Sequence, residues 1–330
     1  MTRAGWIRLV AATAFALCLL VVVLGGYVRS SAAGLGCPDW PGCYGHLTPS
    51  GAAGEVVLQI GKAWREMIHR YAAGSLGALI VVITALAIQW RKEKLLSVPF
   101  AVGLLLLVAV QAALGRLTVT WRLQPLIVTS HLLLGLCTLA LLWWLVLTLR
   151  AHHEGAWHGG GALHGHAIRR AQRWALVSLV VLALQLALGG WTSSNYAAIA
   201  CPDLPTCQNQ WWPPADFGNG FQLWRDAVVN FEGGVLSLPA RVAIQLTHRL
   251  GALLTALALI WAAICALRVR GSAAVRQTAW VLLGVLVLQL LIGSAMVLRG
   301  FPLWLATAHN AGAALLLLAA VALNRELRPT

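Results

Sequence analysis

The chain has 330 residues, of which 59% are hydrophobic and only 10% charged, with a mean hydropathy of +0.77. That balance excludes a soluble globular domain and places the chain in a bilayer. Its net charge of +14 is then read as membrane topology and attraction to anionic lipid, so membrane lipid is an expected partner and nucleic acid is not.

Apolar runs of about 20 residues, the length that crosses a hydrocarbon core, fall at 7–27, 68–89, 98–118, 125–149, 173–192, 242–267, 277–298 and 303–323. An all-α integral membrane protein with eight transmembrane helices is expected. The first run follows Arg3 and Arg8 and precedes small residues from Ser30 to Gly34, the layout of a secretory signal. It is longer than a signal's apolar region, and its closing Gly25-Gly26 with the cysteine loop behind it recurs after the fifth run, so it is read as a retained helix. That loop reads Cys37-Pro38-Asp39-Trp40-Pro41-Gly42-Cys43. Five intervening residues with two prolines favour a disulfide over a structural zinc site, whose cysteines stand two to four residues apart. Whether such a disulfide staples the loop or exchanges electrons stays open, because that depends on strain and thiol acidity.

The second run is entered through Glu66-Met67-Ile68-His69-Arg70, the third holds Gln111 and Gly115, and the fourth carries His131. Between Ala151 and Ile168 lie His152, His153, His158, His164 and His166 among glycines. This is a histidine-rich metal tract or a flexible linker, and the linker is preferred because these histidines have no counterpart elsewhere in the chain. The fifth run ends in Gly189-Gly190 and leads to Cys201-Pro202-Asp203-Leu204-Pro205-Thr206-Cys207, a second expected disulfide loop. Trp211, Trp212 and Trp224 beyond it suit a segment lying on the membrane surface. The sixth run carries Gln245 and His248-Arg249, the seventh Gln289 and Gly293, the eighth His309. Cys18, Cys137 and Cys265 stand alone within helices and read as small core residues.

A tandem duplication is written into this order. The Gly-Gly and cysteine loops recur at an offset of 164, His69-Arg70 as His248-Arg249 at 179, and Gln111, Gly115 and His131 as Gln289, Gly293 and His309 at 178. The expected organisation is a four-helix repeat over 1–150, a Gly/His-rich linker over 151–171 and a second four-helix repeat over 172–330. With both termini in the cytoplasm, fourteen of the 24 Lys and Arg residues lie on that side with only three acids, Glu93, Glu154 and Glu326. This satisfies the positive-inside rule and puts both cysteine loops on the oxidising side.

His69, His131, His248 and His309 lie near the outer ends of the even-numbered helices, at one depth. Isolated intramembrane histidines usually bond neighbouring helices, but two symmetric pairs suit bis-histidine ligation of haem iron, which takes one neutral imidazole from each of two facing helices. Small residues beside them (Ala72 and Ala73 after His69, Gly135, Gly251 and Gly312 after the others) leave room for a flat macrocycle or permit close helix packing. Arg70 and Arg249 are candidate partners of haem propionates, with snorkelling to the interface as the alternative. The repeat breaks where Glu66 aligns with Gln245. An ionisable group beside one histidine pair and a neutral amide beside the other marks a functional difference, unless Glu66 merely caps its helix.

Taken together, Glu66-Met67-Ile68-His69-Arg70, His131, His248-Arg249, His309 and the Cys37/Cys43 loop resemble the haem A synthase family over nearly the whole chain. The second pair, Cys201/Cys207, is similar to members with a disulfide in both outer loops. The resemblance implies a bacterial inner-membrane oxidoreductase that converts the C8 methyl of haem O to the formyl of haem A for terminal oxidases. It implies haem b held by His248 and His309 as cofactor, haem O as substrate facing His69 and His131, and Glu66 near the reacting carbon. A haem O synthase and an electron donor would be its partners. A di-haem electron carrier without substrate chemistry is the alternative reading.

Overall fold

The computed structural model describes residues 2–49, 57–93, 95–154, 165–225 and 229–328, without the side chains of 57–58 and 151–154. It consists of helices α1 (Arg3–Ser30), α2 (Val57–Gln89), α3 (Val98–Thr120), α4 (Pro125–Glu154), α5 (His166–Ser194), a one-turn α6 (Phe217–Gly220), α7 (Leu238–Leu267), α8 (Ala273–Leu298) and α9 (Leu303–Glu326). All except α6 are long and apolar enough to cross a membrane, giving eight spans. Apart from two isolated bridges, Cys43–His46 and Cys207–Gln210, the described residues form no β-structure, as expected where a bilayer leaves backbone groups no outside partner.

Local sequence sets the helix ends. Thr2 caps α1 by accepting from the Gly5 amide, and Ser272 caps α8 by accepting from Val275. Proline in the first turn opens α3 and α7, where its missing N–H costs nothing. The helices outrun the apolar stretches. Helix α2 begins at Val57, well before the run at 68, and its 33 residues extend about 50 Å, longer than the hydrocarbon core. Intrahelical hydrogen bonding continues into the interface, where polar residues are tolerated, so hydropathy marks the apolar segment rather than the helix. The ends of the linker are helical as well, α4 running to Glu154 and α5 starting at His166. His158 and His164 lie outside the described residues.

Helices α1 to α4 pack in a ring, each against the next and α4 against α1, and α5, α7, α8 and α9 do the same. The halves meet through α1 with α9, α4 with α5, and α4 with α9. Exchanging α1 with α5 and α4 with α9 maps this set of contacts onto itself, so the duplication is expressed as a pseudo-twofold arrangement. Small residues bring the backbones together: Ala11, Ala14 and Cys18 of α1 and Ala171 and Ala175 of α5 are fully buried in one continuous core. Gly26 of α1 lies against the Asn310 amide of α9, so closely that a methyl group there would collide, and Gly190 of α5 admits Leu132 and Thr129 of α4. Polar seams complete the contact. Asn310 donates to the Val22 carbonyl at 3.2 Å, Trp143 to that of Leu318 at 3.1 Å, and the Arg29 guanidinium to that of Ser193 while stacking over Tyr196.

Of the lone cysteines, Cys18 and Cys265 are buried but Cys137 is exposed. Its place on the outer surface of α4 corrects the expectation of a core position. A thiol is apolar enough to face lipid as readily as protein.

Candidate functional site

Each half builds the same site from a histidine pair, two glycines, an arginine and a cysteine loop. In the first half, His69 of α2 lies against Gly25 of α1, where a Cβ would stand 3.0 Å from the imidazole Cε1. His131 of α4 lies against Gly115 of α3, with the corresponding separation 3.3 Å. In the second half the partners are His248 with Gly189 (3.4 Å) and His309 with Gly293 (3.0 Å). The two imidazoles of each half are near enough to interact electrostatically, His69 with His131 and His248 with His309. All four residues are half-buried.

These glycines correct the expected use of small residues. Room for the rings comes from Gly25, Gly115, Gly189 and Gly293 on the neighbouring helices. The glycines that follow the histidines serve glutamines instead: Gln185 lies on Gly251, Gln289 on Gly312 and Gln111 on Gly135. The Gln185 amide nitrogen is 3.1 Å from His248 Nδ1 and donates to the His248 carbonyl at 3.0 Å. The Gln289 amide is 3.3 Å from His309 Nδ1 and 3.4 Å from its Nε2, and donates to the His309 carbonyl at 3.1 Å. In the first half, Nδ1 of both His69 and His131 is buried without a hydrogen-bond partner. Gln185 escaped sequence reading because its counterpart in the repeat is Val21, although a lone amide in an apolar helix is itself a signal.

The cysteine loops close both sites at one end of the bundle. Cys37–Cys43 and Cys201–Cys207 are disulfides with Cα atoms 4.9 and 4.6 Å apart, and all four sulfurs belong to buried residues. Within each loop an aspartate accepts from two successive backbone amides, Asp39 from Tyr44 and Gly45, Asp203 from Gln208 and Asn209. Slight burial works against ionisation of Asp39, but the Gly45 and Tyr44 amides and the Arg70 charge outweigh it and hold its carboxyl below the ordinary value. Asp203 is lowered by the Thr206 hydroxyl first and then by the two amides.

The arginines tie the loops to the histidine helices. Arg70 donates to the carbonyls of Asp39 (2.9 Å), Pro41 (3.3 Å) and Gly42 (2.6 Å), while its other terminal nitrogen pairs with Glu66. Arg249 donates to Thr206 (2.7 Å) and Cys201 (2.9 Å), leaving its Nε buried without a partner. Neither arginine has terminal nitrogens snorkelling outward.

Glu66 is 4% exposed and one turn before His69. One carboxylate oxygen accepts from the Cys37 amide at 2.9 Å and the other from Arg70 at 2.5 Å. The helix-cap reading is overturned: the first turn of α2 holds no acid, and Glu66 stands more than two turns inside the helix. Gln245 occupies the equivalent place in α7, equally buried, with its Oε1 unpartnered. The second outer loop also reaches over the first half. The Phe231 amide donates to the Arg122 carbonyl at 3.1 Å, Lys62 pairs with Glu232 at 3.8 Å, and Trp224 packs edge-on against Trp121. Trp211, Trp212 and Trp224 are all exposed, Trp212 stacking on Phe217 and Trp224 meeting Trp121.

Fold and site together define an integral membrane protein of two four-helix repeats, each holding a partly buried imidazole pair beneath a disulfide-closed loop. A model of the cytochrome oxidase assembly protein family, COX15-CtaA, matches residues 8–321, and the chain belongs to that family. It is similar to a Shewanella oneidensis protein named heme A synthase, with 40% identity over 93% of this chain and 92% of the relative. Proteins of the same name from Methylobacterium sp. (31% identity, 96% and 89% covered) and Bacillus cereus (23%, 88% and 84%) are similar over almost as much of their length.

Proposed function

We propose that this chain is a haem A synthase, oxidising the C8 methyl of haem O to a formyl group, with haem b bound in the second half and haem O taken into the first. The observation that carries the assignment is the broken symmetry: equivalent imidazole pairs lie beside an anchored carboxylate, Glu66, in one half and a neutral amide, Gln245, in the other. An electron carrier with two like haems has no use for that difference.

The residues fit the group. Among the described residues no cluster of three or more His, Cys, Asp or Glu side chains gathers to hold a bare metal ion. Two imidazoles per site instead suit an iron whose other ligands come from a macrocycle. Orphaned Nδ1 atoms on His69 and His131 and bare glycine backbones opposite the rings agree with such a ligand. Haem b, when bound, would supply electron transfer. His248 and His309 would hold it, and Arg249 Nε is the donor left for a propionate. Arg70 would act chiefly through the loop and Glu66, its terminal nitrogens being committed there.

His69 and His131 would orient haem O, and Glu66 would stabilise positive charge developing at the methyl carbon or accept its proton. Each carboxylate oxygen accepts one of these hydrogen bonds, which favour the anion and leave lone pairs open, so charge stabilisation uses the arrangement as it stands, while taking a proton would weaken the pairing with Arg70. The Cys37 loop and the second outer loop cover this site and limit water. In a bacterial cytoplasmic membrane both termini would face the cytoplasm and the disulfide loops the oxidising side. Extraction of the bound pigments tests the assignment: haem b together with haem O or haem A is expected. Haem b alone, with no conversion of added haem O, would indicate the electron carrier instead.

A further inference from the structure

The second half sets a side-chain amide beside each of its histidines, and the first half lacks one of the two. Gln185 and Gln289 each bridge from a neighbouring helix to the imidazole Nδ1 and the backbone carbonyl of one histidine. Both glutamine Oε1 atoms are buried without a partner. The two ends of an amide are interchangeable by rotation, so Oε1 can accept from Nδ1–H and leave ring Nε2 unprotonated as an iron ligand. His69 has no side-chain partner on Nδ1, whereas beside His131 the repeat keeps Gln111 at the place of Gln289, packed on Gly135.

The difference is written twice in the chain. Val21 stands where the repeat has Gln185, and Ala72 stands where it has Gly251. The two changes are linked physically, since a Cβ at Gly251 would run into the Gln185 amide. Where the glutamine is absent, the glycine that accommodates it is absent too.

We propose that Gln185 and Gln289 are positioning residues that make the second-half haem resident, and that the missing counterpart of Gln185 beside His69 keeps the first-half site exchangeable. This rests on the reading of the protein as a haem-converting enzyme. A site whose substrate and product are both haems must bind and release one in every turnover, while a resident haem must stay through many. An outer hydrogen bond to a ligating histidine changes metal affinity by about 10- to 100-fold, enough to separate the two behaviours.

The test uses the purified full-length protein and follows transfer of its haems to excess apomyoglobin, with electron paramagnetic resonance and potentiometry of the haem that remains. Gln185→Met and Gln289→Met keep length and remove the hydrogen bond. They should speed haem b loss at least tenfold and move its midpoint potential upward, since an acceptor on Nδ1–H favours the ferric state. Gln185→Glu, which keeps the acceptor, should restore slow loss and move the potential downward. The double variant Val21→Gln/Ala72→Gly should slow release of haem from the first half about tenfold. Wild-type release and potential in both Met variants would overturn the proposal, as would identical behaviour of Met and Glu, which would mean packing alone. Wild-type protein with no bis-histidine haem at all would instead remove the functional reading on which the proposal rests.

Discussion

Glu66→Gln makes the first half a copy of the second at the place where they differ most. The substitution keeps size and reach. It removes the ion pair with Arg70, whose partners are 13% and 6% exposed at the side chain, and leaves one amide oxygen to serve two donors, Arg70 and the Cys37 amide. A hydrogen bond to a charged group contributes about 1.5–3 kcal/mol. The figure of about 3–5 kcal/mol for stranding a buried charge does not apply in full, because Arg70 keeps three loop carbonyls. The fold, the second half and its haem b should therefore survive. Conversion of haem O should fall at least about tenfold, equivalent to about 1.4 kcal/mol of barrier, a floor below the roughly 100-fold or more that a charge-stabilising or proton-transfer group contributes. The assay is the haem composition of the purified variant with haem O supplied, together with the low-spin spectrum as a control for the second half. Accumulation of haem O or a partly oxidised alcohol is expected. Haem A formed at the wild-type rate would show that Glu66 serves only to anchor the Cys37 loop through Arg70.

Replacing His248 or His309 with Ala should remove an axial ligand and abolish the low-spin bis-histidine signal of haem b; survival of that signal in both variants would refute the assignment. The Cys37→Ser/Cys43→Ser pair should lower stability by roughly 2 kcal/mol on a chain-entropy estimate for so short a loop and loosen the Cys37 amide on Glu66, whereas the Cys201→Ser/Cys207→Ser pair should leave haem O conversion largely intact. Equal loss of conversion in the two pairs, measured against folded protein, would contradict a link between the first disulfide and Glu66. Among the glycines, Gly25→Ala and Gly293→Ala should displace an imidazole, since a Cβ would stand 3.0 Å from ring carbon. Gly189→Ala at 3.4 Å makes an ordinary contact and should be tolerated, so its haem b spectrum should stay near wild type while that of Gly293→Ala shifts.

Much of this architecture could be read from residue order because the bilayer imposes it. Eight apolar runs became eight helices, since a chain in lipid has few ways to satisfy its backbone, and duplicated Cys, His and Gly stood out against filler that any membrane segment shares. The helix ends were less legible: α2 carries polar residues through the interface, and hydropathy is blind to them. Side-chain partnerships were the least legible of all, because they depend on which faces of separate helices meet. Arg70 and Arg249 read as candidates for propionates, yet both reach back to loop carbonyls, a contact set by the folding of the Cys37 and Cys201 loops onto α2 and α7. The same holds for the paired glycines. Gly25 and Gly26 look alike in sequence, but successive positions on a helix point about 100° apart, so one meets His69 within its own half and the other meets Asn310 across the interface. A single Gly-Gly step thus seats an imidazole and joins the two halves, which ties the histidine pair of each repeat to the interface that holds the repeats together.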